Sequence, residues 1–389
     1  MTGTEQEFLA ILRAAVRGEP LPEGFSVEAA DALFRLARAQ DLGHLLAAVP
    51  VPLDEAAHAL AERERLRAIW RVGVLTHEHS RITALLDREG IPYIPLKGAV
   101  LRDLWPEAWM RTSCDIDILV HEEDVLRAGD AIARELSYTR REQGHHDHAL
   151  YSADGNVHLE LHYSLREAGP ADGVLARAWE YAAPVSGSAY TLDPAFHLLY
   201  LLAHAVAHLF GGGGGIRPMV DLYLLRHASP CDEGRLAALL SECGLARFAD
   251  VAFRLGEAML GDGEWDDSTL RLAAHLLGGR LYADAARRAA LLRGREKTPE
   301  ARRRARAARR AYVRERLFLS REQLCALYPV LRRHAWLTPL CQVRRWLRLL
   351  FGGRLRLMLH RARAASRVTE GEVAEAAALL AVLGLDGGE

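Results

Sequence analysis

Two aspartates, Asp115 and Asp117, alternate with isoleucine in the run RTSCDIDILV, residues 111–120. Aspartate is a poor strand former. On a strand, residues two apart point from one face, so the two carboxylates repel each other. A divalent cation held between them would offset that cost. A second run, NVHLELHYSL (156–165), alternates Val157, Leu159 and Leu161 with His158, Glu160 and His162. Period two therefore places one carboxylate and two imidazoles opposite the apolar face. Glu160 is a natural third carboxylate, as a metal ligand or as a general base on an attacking hydroxyl. Oxygen donors of this kind suit Mg²⁺ or Mn²⁺, and Mg²⁺ commonly shares its shell with substrate phosphates. Either motif alone is more often a solvated strand face. Together, within one short stretch, they point to chemistry.

These residues need a scaffold to position them. Residues 1–90 read as an N-terminal helical region, with apolar residues three and four apart in EQEFLAILRAAVRG and in SVEAADALFRLARAQDLGHLLAAV, where Ser26 is a candidate N-cap. A longer helical pattern from Asp54 stops at Gly90, a good C-terminal stop. Residues 91–190 form an α+β core. IPYIPL is a short strand, KGAVLRDLW a glycine turn opening a helix, DIDILV a strand and EEDVLRAGDAIARELSY a helix. Two further strands, Thr139–Ser152 and Asn156–Leu165, flank the turn ADGN. Residues 191–389 read as a C-terminal helical domain, opened by Asp193 as N-cap and Pro194 at the first helical position. The run GGGGG at 211–215 breaks a helix, either as a plain linker or as a mobile loop beside a site.

Gly98, between a strand and a helix, lets a phosphate approach the backbone, where free N–H groups and the helix dipole favour an anion. Lys97 adds a full positive charge beside it. The order of these motifs in PLKGAVLRDLWPEAWMRTSCDIDILV, followed by VHLELHYSL, resembles the nucleotidyltransferase fold shared with DNA polymerase β. More narrowly it resembles a bacterial group reading LKG, then R…DIDLLV, then an acidic-L-H strand. The resemblance extends into HLLYLLAHAVAHLF and IRPMVDLYLL and is specific over 91–225. It implies that Asp115, Asp117 and Glu160 hold the metal and that Gly98 lies against the nucleotide phosphates. It implies basic positions at Lys97 and Arg111, from which we expect contact with the triphosphate. It further implies an NTP donor, with ATP expected. One departure stands out: Ala99 follows Gly98, where the wider superfamily carries Gly or Ser.

Other residues invite weaker readings. His204 and His208 have the i, i+4 spacing of a zinc pair and share a helical stripe with His197, yet no neighbouring carboxylate completes a motif. Packing, or lining the acceptor side of a cleft, are the alternatives. Arg217 and Asp221 could ion-pair with each other or reach the site as a phosphate clamp and a supplementary acid. GHHDHALY holds His145, His146, Asp147 and His148, and a one-residue change of register would decide whether Asp147 or His148 shares the face of Glu160.

The chain has 389 residues, 26 % of them charged, with a net charge of −1, so overall charge excludes no partner. Residues 287–316 carry 13 Lys and Arg against three acids, either a solvated helix or a surface for a phosphate-bearing or RNA acceptor. The five cysteines are scattered without a CxxC, which fits reduced thiols and argues against a disulfide framework or a cysteine zinc site. No signal-peptide pattern opens the chain, and the longest apolar run, Ala195–Phe210, is short for a bilayer and carries three histidines. The expectation is a cytoplasmic, Mg²⁺-dependent transferase of nucleotides to an unidentified acceptor, with no membrane partner. The rivals are a glycosyltransferase using D-x-D to hold a sugar nucleotide, and an inactive nucleotide-fold binding or antitoxin-like module.

Overall fold

The computed structural model describes residues 1–143, 147–167, 169–228, 230–279, 285–295, 324, 328–332, 334–351 and 368–386. They belong to two compact units, Met1–Tyr282 and Ala283–Glu389. The boundaries at 90 and 190 remain a proposal about modules of the chain.

The first unit is α+β, as its texture predicts, with a mixed sheet of seven strands flanked by helices. The strands are β1 (Tyr93–Pro95), β2 (Asp115–Val120), β3 (Thr139–Gln143), β4 (Asp147–Tyr151), β5 (His158–His162), β6 (Ala182–Ser186) and β7 (Ala189–Leu192). Their spatial order is β3-β4-β5-β2-β1-β7-β6. The central pair β2 and β5 is parallel, and β1 lies antiparallel to β2. The segment read as one strand over 139–152 is two, β3 and β4, paired antiparallel with an irregularity between Arg140 and Glu142. The hairpin β6–β7 escaped the sequence reading because Pro184 and Gly187 interrupt it and its residues are mostly exposed, leaving no clean alternation.

One face of the sheet forms a core. Ile116, Ile118 and Val120 of β2, with Leu159 and Leu161 of β5, pack against two helices. The first, α1 of this layer (Glu55–Arg88), contributes Leu75, Ile82, Leu85 and Leu86. Asp54 caps its N-terminus through the Ala57 N–H, and Gly90 follows its end with φ +61°. The second, α2 (Val125–Glu135), contributes Val125, Ala128, Ala131 and Ile132. Further upstream, the helix Ala30–Ala39 starts after Ala29, without a side-chain cap, so Ser26 does not serve as its N-cap.

The opposite sheet face carries the polar residues of β2 and β5. Beside it runs α3 (Pro194–Gly211), capped by Asp193 with Pro194 in the first turn, as expected. It ends at Gly212, whose φ of +82° suits glycine alone, so the glycine run does stop this helix. Helix α4 (Arg217–Ala228) follows after Ile216. By length and composition α3 could cross a membrane, yet most of it is buried inside the protein. Phe196, Leu198, Leu199, Tyr200 and Leu202 are almost wholly enclosed, as in a core helix.

In the second unit, the helix Ala285–Arg295 packs tightly on the helix Glu370–Leu383. A Cβ at Gly294 would lie 2.8 Å from the Ala377 amide nitrogen, so only glycine allows this approach. The basic run 287–316 lies outside the described residues from 296 onward.

Candidate active site

The register of the two parallel strands builds the site. Asp115 lies beside His158, and Asp117 beside Glu160. Because their isoleucine and leucine neighbours point into the core, Asp115, Asp117, Glu160, His158 and His162 all project from the other face. Two overlapping groups result that could hold a metal ion, Asp115–His158–Glu160 and Asp117–Glu160–His162. The adjoining strand β4 pairs Ala149 with Glu160 and Asp147 with His162. Asp147 therefore shares the site face, while His148 points with Leu161 to the other side. Of the GHHDHALY cluster, His145 and His146 lie outside the described residues.

Asp117 is 2 % exposed and is the hub. Its Oδ1 accepts from Lys97 Nζ at 2.9 Å and meets His162 Nε2 at 2.9 Å. Burial alone would raise the carboxyl, but these two cations outweigh it and hold Asp117 far below the usual carboxylate range. Burial also opposes the charge of His162. Its hydrogen bonds to Asp117 and to Glu160 win, raising the imidazole to about 9, so it is a cation at neutral pH. Lys97 is likewise lifted well above its ordinary value, because the charge of Asp117, with Glu160 and Asp115 behind it, overcomes desolvation.

Asp115 differs. Desolvation and then the Asp117 charge push its carboxyl upward, and the Cys114 thiol approaches it at 3.6 Å. Glu160 is lowered, chiefly by the hydrogen bond from His162 at 3.5 Å. Asp147 is raised by burial. Three carboxylates, Asp115, Asp117 and Glu160, thus share two cationic side chains. The set is short of positive charge on the side of Asp115, and its donors fit a divalent ion: carboxylate oxygens suit Mg²⁺ or Mn²⁺, and the His158 imidazole beside Asp115 adds a nitrogen ligand that Mn²⁺ accepts.

The turn after β1 is shaped for Lys97. Its φ of +42° is a conformation L-residues rarely adopt, so the chain stores strain to place this ammonium. Gly98 opens a single helical turn, Gly98–Leu101. A Cβ there would sit 2.8 Å from Ser113 Oγ and 3.2 Å from Arg111 Nη1. Packing alone therefore demands glycine at 98, a reason the sequence reading did not give.

Arg111 does not lie open to the site. Its Nε and Nη2 donate to both oxygens of Asp221, each at 2.9 Å, and Trp105 Nε1 donates to the same carboxylate at 3.0 Å. The pair is buried, and Nη1 has no partner among the described residues. The expected contact of Arg111 with a triphosphate therefore gives way to a role beneath the Gly98 turn. Nor do Arg217 and Asp221 pair with each other. Arg217 instead donates to Asp41 at 2.9 Å and to the Thr112 carbonyl at 3.0 Å.

Around helix α3 lie two residues that sequence reasoning missed, Tyr200 on the helix and Glu167 after β5. Tyr200, buried in α3, lies within electrostatic reach of Lys97, and its phenol is raised above its ordinary value, chiefly by burial. Glu167, five residues beyond β5, accepts from His204 Nδ1 at 2.7 Å, and His204 Nε2 lies 2.9 Å from His208 Nε2. No spacing could have signalled Glu167, because it meets His204 only after β5 and α3 come together. The third histidine of the stripe, His197, is buried beside Asp221 and Arg111, with Nε2 unpartnered among the described residues.

No curated protein and no solved structure matches this chain. A family model described as "Uncharacterised nucleotidyltransferase" matches residues 26–261, the stretch that contains β1 to β7, Lys97, the carboxylates and the histidine helix. The chain belongs to that family and is a nucleotidyltransferase.

Proposed function

We propose that the protein transfers an NMP group from an NTP, with ATP the expected donor, to a hydroxyl or phosphate of an acceptor, releasing pyrophosphate. The observation that carries this reading is the parallel register setting Asp117 beside Glu160, with Asp115 one step along the same face. The resemblance of this order to the polymerase β-like fold supports it.

Asp115, Asp117 and Glu160 would hold Mg²⁺ or Mn²⁺. When bound, such an ion supplies charge neutralisation for the phosphates and an electrophilic centre beside the α-phosphate. Lys97, anchored on Asp117, presents a fixed positive charge to the leaving pyrophosphate. His162 restrains Asp117 and Glu160 through hydrogen bonds to both, so the carboxylates are set before substrate arrives. Ala99 supplies no hydroxyl to a phosphate, and Lys97 is the group placed to take that role.

The acceptor reads as an open class: a small molecule, a peptide or protein side chain, or an RNA end. We keep the cytoplasm as the proposed location. A D-x-D glycosyltransferase and an inactive binding module are the rivals. The family match weighs against the first, and the charge-deficient carboxylates against the second.

The test is thermal stability with each of the four NTPs, with and without Mg²⁺. A ligand bound by the native state alone raises Tm by mass action, about 2.7 kcal/mol at a hundredfold excess over Kd. The expected result is a shift needing both Mg²⁺ and an NTP, abolished by EDTA and by Asp115→Asn. A shift with sugar nucleotides only would favour the glycosyltransferase. No shift with any nucleotide would favour the binding module.

A further inference from the structure

Outside the carboxylate cluster, Glu167, His204 and His208 form a line of three titratable groups. Glu167 accepts from His204 Nδ1 at 2.7 Å, and the two Nε2 atoms of His204 and His208 are 2.9 Å apart. Both rings come from α3, one turn apart, so the helix fixes their spacing.

The chemistry of this line is directional. A carboxylate on Nδ1 keeps the proton there and leaves the Nε2 lone pair of a neutral His204 as an acceptor. The 2.9 Å contact then requires the proton between the rings to sit on His208 Nε2. That leaves the Nδ1 lone pair of His208 available, and no hydrogen bond among the described residues engages it. His208 is the exposed end of the line, and Glu167 the covered end. The line also adjoins the carboxylates. Tyr200 lies with its ring 6.0 Å from that of His204 and within electrostatic reach of Lys97, and Lys97 in turn rests on Asp117.

We propose that Glu167, His204 and His208 form a proton relay serving the acceptor, with His208 Nδ1 as the general base. This rests on the nucleotidyl-transfer reading above. As the acceptor oxygen forms its bond to the α-phosphorus, its proton passes to His208 Nδ1. The proton on His208 Nε2 moves to His204 Nε2, leaving an imidazolium against the Glu167 carboxylate. The bond from the α-phosphorus to the bridging oxygen breaks, and pyrophosphate leaves with that electron pair. The substrate class this implies is an acceptor whose nucleophile is a hydroxyl carrying its proton at neutral pH, since an ionised phosphate acceptor has no proton to give.

The surroundings agree. The charges bearing on the pair are Glu167 beside His204, Lys97 on the sheet side, and Arg217, itself held by Asp41, from α4. Tyr200 faces it as a neutral phenol.

The first test is histidine ¹⁵N NMR on the labelled full chain. His204 is expected as the Nδ1–H tautomer and His208 as the Nε2–H tautomer. A His208 proton on Nδ1 would remove the accepting lone pair and overturn the relay. The second uses full-length wild type, His208→Gln and Glu167→Gln with α-labelled NTP and Mg²⁺, water as the acceptor, and NMP release as the readout. His208→Gln should lose about 10²-fold in turnover, the scale of general-base catalysis, while its Mg²⁺–NTP Tm shift stays that of wild type. The deficit should shrink as pH rises and hydroxide replaces the base. Glu167→Gln keeps an oxygen for His204 Nδ1 but loses the charge, so its deficit is smaller. Wild-type turnover with an unchanged pH profile in His208→Gln overturns the relay and leaves the nucleotide reading standing. Loss of the Tm shift in wild type itself marks failure of that reading.

Discussion

Two buried aspartates of this molecule each meet cationic side chains, and their neighbourhoods are opposites. Asp221 receives a two-pronged fork from Arg111 and a third bond from Trp105, one negative charge against one positive. Asp117 receives Lys97 and His162, but it shares them with Asp115 and Glu160. The first knot is balanced and geometrically complete. The second holds more carboxylate than its own cations neutralise. Balance marks a device that fastens elements together, here the turn at Gly98 to α4. Imbalance marks a place made for a ligand that brings charge of its own.

Asp221→Ala would break this contrast hardest. It leaves the Arg111 guanidinium buried without its partner, which costs about 3–5 kcal/mol. Urea unfolding should show that loss, and a smaller one would mean water reaches the knot. The paired substitutions Asp117→Asn and Asp115→Asn sharpen it next. The first leaves Lys97 and His162 undercompensated and should destabilise by about 1–3 kcal/mol. The second removes a carboxylate that its neighbours already repel, so stability should hold or rise by up to about 1 kcal/mol while transfer is lost. Equal destabilisation by both would mean the carboxylates are not short of positive charge.

The contrast also shows as a divergence with pH. His197, beside Asp221 and Arg111, is lowered by burial to about 4. In the unfolded chain it takes a proton near pH 6.5, so its contribution to stability falls as pH drops from there toward 4. His162 has the opposite sign. Its folded value near 9 exceeds the unfolded one, so its contribution is complete below about pH 6.5 and fades as pH rises through 9. Stability–pH curves of His197→Leu and His162→Gln should each flatten on one side only, acid for the first and alkaline for the second.

The contrast also explains how much could be read from residues in a row. The face of β2 and the face of β5 were legible, since period two is a local property and Asp115, Asp117, Glu160 and His162 obey it. That they sit side by side depends on a parallel pairing, which the motif order implies but no spacing dictates. Arg217 and Asp221, four apart, looked like partners, yet each pairs with a residue far away in the chain, Asp41 and Arg111. Tyr200 and Glu167 carried no local signal. The glycine at 98 was noticed for the right position, but its neighbours Ser113 and Arg111, which leave no room for a Cβ, come into view only once the turn folds back on β2.

The parallel pairing of β2 with β5 has a kinetic side. His162 and Asp117 stand 45 residues apart in sequence, and between them lie a helix and the β3–β4 hairpin. Local elements form early, and a pairing that closes so long a loop forms late. Until it forms, Asp115 and Asp117 have no Glu160 beside them and no His162 to restrain them. Divalent-ion affinity should therefore appear in refolding after most helical signal has returned, making the ion a reporter of the docking of β5 on β2.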